Sequence, residues 1–199
     1  MSTWISKAVL FALLLSGCVA PDGTAGLLPK AGANAPEQRQ ALTVSGVKLA
    51  GPQGFCLLPG TRQRVSGADF VAFGSCDGAS GPILTATVGA QGSAAGLVLN
   101  VATMAPYFKS ENGLAALRGP GNQDRVAVRG VSDYQGAVLL RLTRETAAGK
   151  SEQWRALTRV GGRLVTLTVR PRPGQTLATA EGRRRARQFL DALRGANGL

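Results

Sequence analysis

Gln153-Trp154-Arg155-Ala156-Leu157-Thr158-Arg159-Val160-Gly161-Gly162-Arg163-Leu164-Val165-Thr166-Leu167-Thr168-Val169-Arg170 is the stretch that decides the fold. Two runs rich in β-branched residues flank a Gly-Gly pair, and a two-residue loop in which both residues accept positive φ predicts a tight hairpin. Trp154, Ala156, Thr158 and Val160 share one face of the first run; Val165, Leu167 and Val169 share one face of the second. Arg155 and Arg159 lie opposite the Trp154 face, and Arg163 sits at the turn. The alternation predicts a hairpin with one face buried.

Downstream, Pro171-Arg172-Pro173-Gly174 stops the sheet, and Thr176 is placed to cap a helix running to about Arg194. Ala186, Phe189, Leu190 and Leu193 fall at i, i+3, i+4 and i+7, one apolar stripe. Gly195 is the expected C-terminal stop. On the polar side, Arg183-Arg184-Arg185 and Arg187 form the densest charge cluster in the chain.

Upstream, Ala137 to Thr143 and Val126 to Val131 read as strands joined by a turn at Asp133-Tyr134-Gln135-Gly136. Ala105 to Leu117 carries a helical pattern weakened by Gly113. Ile83 to Val88 predicts a strand, Gly89 to Gly96 a hairpin loop, and Leu97 to Val101 its returning partner. Further back come a strand at Asp69–Ser75, a polar loop over Thr61–Ala68, a short strand at Phe55–Leu58, and a first strand at Val44–Ala50 after which Gly51-Pro52-Gln53-Gly54 turns. Strands on both sides of a short middle helix, then one long terminal helix, define an α+β class with a mostly antiparallel sheet. From Gln153 to Leu193 this order resembles the α/β/α sandwich of PsbP-like and Mog1-like domains, a resemblance of architecture that carries no binding residues with it.

Val19 to about Ala41 is rich in Pro, Gly, Ala and polar residues without hydrophobic period, and reads as a tether. Fully extended it reaches roughly 70 Å. Before it, Lys7 precedes the apolar run Ala8 to Leu15, which small residues connect to Cys18. That layout predicts a signal peptide over residues 1–17, since the run is far shorter than the roughly 20 apolar residues of a membrane span. Leu15-Ser16-Gly17-Cys18 resembles the lipobox of bacterial lipoproteins. The resemblance implies a diacylglycerol on the Cys18 thiol, cleavage before Cys18, and acylation of the new amino group, typically with palmitate. Such multiple chains suffice for stable anchoring. Val19 in place of Asp implies the outer rather than the inner membrane, on the periplasmic side. The expected organisation is therefore signal peptide 1–17, lipidated cysteine and tether 18–43, and one domain over 44–199.

Loss of residues 1–17 removes Lys7 alone among charged residues and lowers the formal charge from +12 to +11. The chain has no histidine, which excludes Ser-His-Asp and Cys-His catalysis and His-ligated zinc or haem. With Cys18 assigned to lipid, Cys56 and Cys76 remain as an even pair in an oxidising compartment, and a disulfide is expected, the competing readings being two buried thiols or a redox pair. Their spacing is not Cys-x-x-Cys, and two cysteines are too few for structural zinc, so no metal and no cofactor are predicted.

Asp124, Asp133, Glu145 and Glu152 show no glycosidase spacing, and Ser66, Ser75, Ser80 and Ser93 lack a nucleophile elbow. No catalytic residue is assigned. Arg183, Arg184 and Arg187 are the candidate site for an anionic partner, because guanidinium forks match phosphate and carboxylate. The bland alternative is a solvated helix face. Nucleic acid is a poor partner for this compartment and this scarcity of aromatics. Trp154 and Tyr134 are candidates for lining a groove, although the commoner place for such aromatics is the core or a sheet face. The phrase Gly162 to Val169 with the following helix also resembles uncharacterised envelope lipoproteins, some labelled "cation transport ATPase"; this chain has neither a membrane-helix bundle nor an Asp-Lys-Thr-Gly motif. The function expected is a membrane-anchored, non-enzymatic binding or assembly module that engages an envelope protein or an anionic cell-wall or lipid surface. The alternatives are a structural lipoprotein docked on wall or lipid, and an enzyme using carboxylates or arginines in a cleft.

Overall fold

The computed structural model describes residues 41–78, 81–119 and 121–199. The expected signal peptide, Cys18 and the expected tether up to residue 40 lie outside the described residues. The fold is α+β.

Strands β1 (Ala41–Val44) and β2 (Val47–Ala50) pair as a small separate hairpin. The sequence predicted one strand over Val44–Ala50, with residues 41–43 closing the tether. Instead Ser45 and Gly46 both take positive φ, 49° and 80°, and fold the run back on itself. Strands β3 (Phe55–Leu57), β4 (Gln63–Val65), β5 (Ala68–Ser75), β6 (Ile83–Val88), β7 (Arg125–Tyr134), β8 (Ala137–Thr146), β9 (Gly149–Val160) and β10 (Arg163–Arg170) form one antiparallel sheet. Its order is β3-β5-β6-β10-β9-β8-β7, with β4 beside β3 along the outer edge of β5. The expected loop over Thr61–Ala68 thus contains a strand and a tight turn at Ser66-Gly67.

The β9–β10 hairpin forms where predicted: Val160 pairs Arg163 across Gly161 and Gly162, whose φ values are 56° and 76°. Gln135 and Gly136 turn β7 into β8 in the same way. These positive-φ pairs match the right-handed twist of the strands they join.

The stretch Leu97–Val101 is not a strand. β6 already has β5 on one side and β10 on the other, so no edge is left for a returning partner. The Asn100 side chain instead accepts from Thr103 N at 2.8 Å and caps helix α1 (Val101–Lys109). The predicted single helix over 105–117 is two: Ser110 closes α1 and its hydroxyl caps α2 (Glu111–Arg118). Gly113 is needed there, because a Cβ would meet Phe108 Cα at 2.7 Å. Helix α3 runs over Thr179–Asn197. Its N-cap is Ala178 rather than Thr176, without a side-chain bond, and its left-handed stop is Gly198 rather than Gly195.

Residues alternate along the strands between two cores. On one face Ala137, Leu139, Trp154, Ala156, Val165 and Leu167 pack under α3 through Ala186, Phe189, Leu190 and Leu193, joined by Val44, Val47 and Leu49 of the small hairpin. On the other, Val138, Leu140, Leu142 and Leu157 pack under Met104, Phe108 and Leu117 of α1 and α2. The β9–β10 hairpin is therefore covered on both faces, where its alternation had predicted one. Among the described residues no helix is long and apolar enough to cross a membrane.

Candidate functional site

The register of α3 sets the site. With its apolar stripe fully buried against the sheet, the opposite flank carries Arg183, Arg184 and Arg187, all exposed. The structure brings these three together with Tyr134, Thr179, Ala180, Gln188 and Asp191 around an open depression of about 600 Å³.

The four arginines of the cluster are not equivalent. Arg184 and Arg185 both pair with Glu181, one turn back on α3, Arg185 Nε at 2.7 Å. Burial alone would raise the Glu181 carboxyl, but the bonds and charges of Arg185 and Arg184 hold it below its ordinary value. Arg185 also lies over the Phe55 ring at 5.2 Å. Arg183 and Arg187 have no carboxylate in ion-pair reach among the described residues. Each lies over an aromatic ring instead: Arg183 over Trp154 at 5.4 Å, Arg187 over Tyr134 at 4.7 Å. The ring faces attract the cations and fix their stems without neutralising their charge.

A polar network supports those rings. Glu152 accepts from Arg141 Nε at 3.0 Å, from Thr179 Oγ1 at 3.0 Å and from Trp154 Nε1 at 3.2 Å. It thereby ties β8, the Trp154 indole and the first residue of α3 together. Tyr134 donates to Asp191 Oδ2 at 3.2 Å; burial first, and the Asp191 charge second, raise its pKa above the ordinary phenol value. At the far end, Arg194 donates to Gln135 O at 2.9 Å and holds the β7–β8 turn against α3.

Trp154, a groove candidate in the sequence, is 2% exposed and acts as a platform beneath Arg183, whereas Tyr134 lines the depression itself. The carboxylates picked out by sequence do not converge: Asp124 pairs with Arg144 at 3.3 Å, Glu152 belongs to the support network, and Asp133 and Glu145 are exposed elsewhere. Among the described residues no group of three or more Cys, Asp or Glu side chains could hold a metal ion. Cys56 and Cys76 are joined in a disulfide, Cα atoms 4.9 Å apart, linking β3 to the end of β5. The Tyr134–Asp191 bond and the tie from Glu152 to Thr179 are not legible in the sequence, since the paired residues stand 57 and 27 residues apart in the chain. No protein-family model matches this chain, and no curated protein matches it.

Proposed function

We propose that the chain is a lipid-anchored bacterial envelope protein whose α+β domain is a binding module, docking through the outer flank of α3 on phosphate groups of an anionic lipid surface. The lipobox Leu15-Ser16-Gly17-Cys18 supports the anchor and the envelope placement, and Val19 in place of Asp supports the outer membrane. The observation that carries the docking reading is the state of Arg183 and Arg187. They stand one turn apart, exposed, set over Trp154 and Tyr134, and lack carboxylate partners among the described residues. A merely solvated arginine has full rotamer freedom to lose on binding; one stacked on a ring has less. The formal charge of the mature chain, +11 after Lys7 is lost, favours approach to any anionic surface.

Two measurements test this. Intact mass of the mature protein should show loss of residues 1–17 and added acyl mass on Cys18; a bare Cys18 or cleavage elsewhere overturns the anchor. For docking, the chain produced without residues 1–18, and so without lipid, should be retained on liposomes containing anionic phospholipid, with retention falling as salt is added, and its Arg183→Glu/Arg187→Glu variant should lose that retention. Equal retention of variant and wild type at physiological salt reduces the flank to a solvated face. Retention on cell-wall fragments but not on liposomes would move the partner from lipid to wall.

A further inference from the structure

The opposite face of the sheet holds a second feature, independent of the α3 flank. Between the α1–α2 pair and strands β9 and β10 lies a cleft of about 400 Å³. That volume is at the lower end of small-molecule pockets. Its walls are almost wholly apolar, with Leu99, Met104, Phe108, Leu157 and Leu164 prominent. Tyr107 at its edge is 42% exposed, and Leu97, Leu99 and Leu164 are only half-buried, so the cleft opens to solvent beside the Leu97–Asn100 segment.

One cation interrupts this apolar wall. Arg155 projects from β9 on the Leu157 side and lines the cleft. Its Nη2 donates to Leu117 O at 3.0 Å, at the end of α2, but its buried Nε has no acceptor among the described residues. Burial, with repulsion from Arg144, pulls its pKa down to about 10, so it is still charged at neutral pH. Arg144 is partly offset by Asp124, which lies 3.3 Å from its Nε, and it also donates to Arg118 O at 2.8 Å. Arg155 has no such carboxylate among the described residues. Capping α2 does not require this second arginine, because Arg144 already reaches the same carbonyls. A charged side chain held in an apolar wall without a counter-charge is costly unless an anion joins it.

We propose that this cleft binds a single-chain amphiphile with an acidic head, of which a fatty acid is the simplest case, the chain lying along the apolar walls and the carboxylate meeting the Arg155 guanidinium. An apolar chain covers the exposed walls, and the acidic head supplies the missing counter-charge. A neutral chain would satisfy the first and leave the second unmet.

The test is a titration of the full chain with cis-parinaric acid, read by its fluorescence, followed by displacement with dodecanoate and with dodecanol. Dodecanoate should displace the probe about tenfold or more better than dodecanol, since a charge-assisted bond is stronger than a neutral one. Arg155→Gln should abolish that preference, weakening dodecanoate and the probe, itself a carboxylic acid, while leaving the dissociation constant of dodecanol, corrected for probe affinity, unchanged. Ala116→Trp, at an exposed position lining the cleft, should fill it and remove probe binding with the thermal transition retained. Absence of saturable binding to the wild type overturns the proposal. So does equal displacement by acid and alcohol, or unaltered binding to the Ala116→Trp variant; the last would place the probe elsewhere on the chain.

Discussion

The side-chain amide of Asn197 makes both hydrogen bonds that a neighbouring strand would make to Lys48. Its Oδ1 accepts from Lys48 N at 3.0 Å and its Nδ2 donates to Lys48 O at 2.7 Å. The last turn of α3 is thereby fastened to the outer edge of β2, and the two-stranded β1–β2 sheet, too small to be stable alone, gains a third polar partner. Asn197→Ala should lower stability by about 1–2 kcal/mol in urea denaturation, since two backbone groups lose their partner at a part-exposed site. An unchanged midpoint would mean that burial of Val44, Val47 and Leu49 alone holds the hairpin.

Gly182 sits in α3 directly over the Trp154 indole. A Cβ there would fall 2.6 Å from Trp154 Nε1 and 3.1 Å from Leu177 Cδ2. By helix propensity, Gly182→Ala should stabilise by about 1 kcal/mol. The overlap opposes this, because overpacking a filled site costs about 1–3 kcal/mol. A net loss of about 1 kcal/mol, with a shift in Trp154 fluorescence, is expected in thermal and spectroscopic comparison. A stabilised variant with unshifted fluorescence would show that the indole has room to move.

These two contacts mark the boundary of what the sequence discloses. The period of Ala186, Phe189, Leu190 and Leu193 names the buried face of α3, and the Gly161-Gly162 pair names the central hairpin, because each signal is local. Leu97–Val101 misleads for a non-local reason: its β-branched residues would suit a strand, yet both edges of β6 are occupied by strands from elsewhere in the chain. The arginine cluster is visible as composition. Which arginines remain uncompensated depends on Glu181, a local i+3 and i+4 partner, and on Trp154 and Tyr134, which only the fold brings near. Arg155 reads as the polar half of an alternating strand until α1 and α2 are seen to cover that face.

The buried stripe of α3 and its basic flank should respond differently to mutation. Leu193 is 1% exposed, and Leu193→Ala should cost about 2–5 kcal/mol by leaving a cavity. Arg184→Glu should cost only about 0.5 kcal/mol, by placing two carboxylates three residues apart on one helix face with Glu181. Chemical denaturation of the two variants measures both, and comparable losses would contradict the assignment of the two faces.

The Cys56–Cys76 disulfide closes a loop of 20 residues that contains β4 and all of β5. In the chain-entropy account such a loop contributes about 3 kcal/mol through the unfolded state. Cys56→Ser/Cys76→Ser should therefore lower stability by a few kcal/mol. Non-reducing peptide mapping of the wild type should recover the linked pair, and alkylation of both native thiols would refute the bridge.

Asp69 gives the fold an acid-sensitive clasp. It lies on β5, is 5% exposed, and accepts from Ser45 Oγ at 2.6 Å and from Arg64 Nη2 at 3.0 Å. Ser45 is in the positive-φ turn of the β1–β2 hairpin, and Arg64 is on β4, so this carboxylate joins three elements. The Ser45 bond first, then the Arg64 bond, hold its pKa below the ordinary 3.8 against the opposing effect of burial. The unfolded chain therefore takes up this proton first as pH falls. The stability Asp69 contributes is complete above its unfolded value and is lost as pH drops through the lower folded value. Glu181 shifts in the same direction, so acid unfolding of the wild type alone would not isolate Asp69. Comparison with Asp69→Asn does: between about pH 6 and about pH 2 the stability gap between the two proteins should be constant at first and then close below the ordinary carboxyl range. A gap that stays constant to the acid end would mean that Asp69 has the same proton affinity in the folded and unfolded chain, and the clasp would then be geometric without being electrostatic.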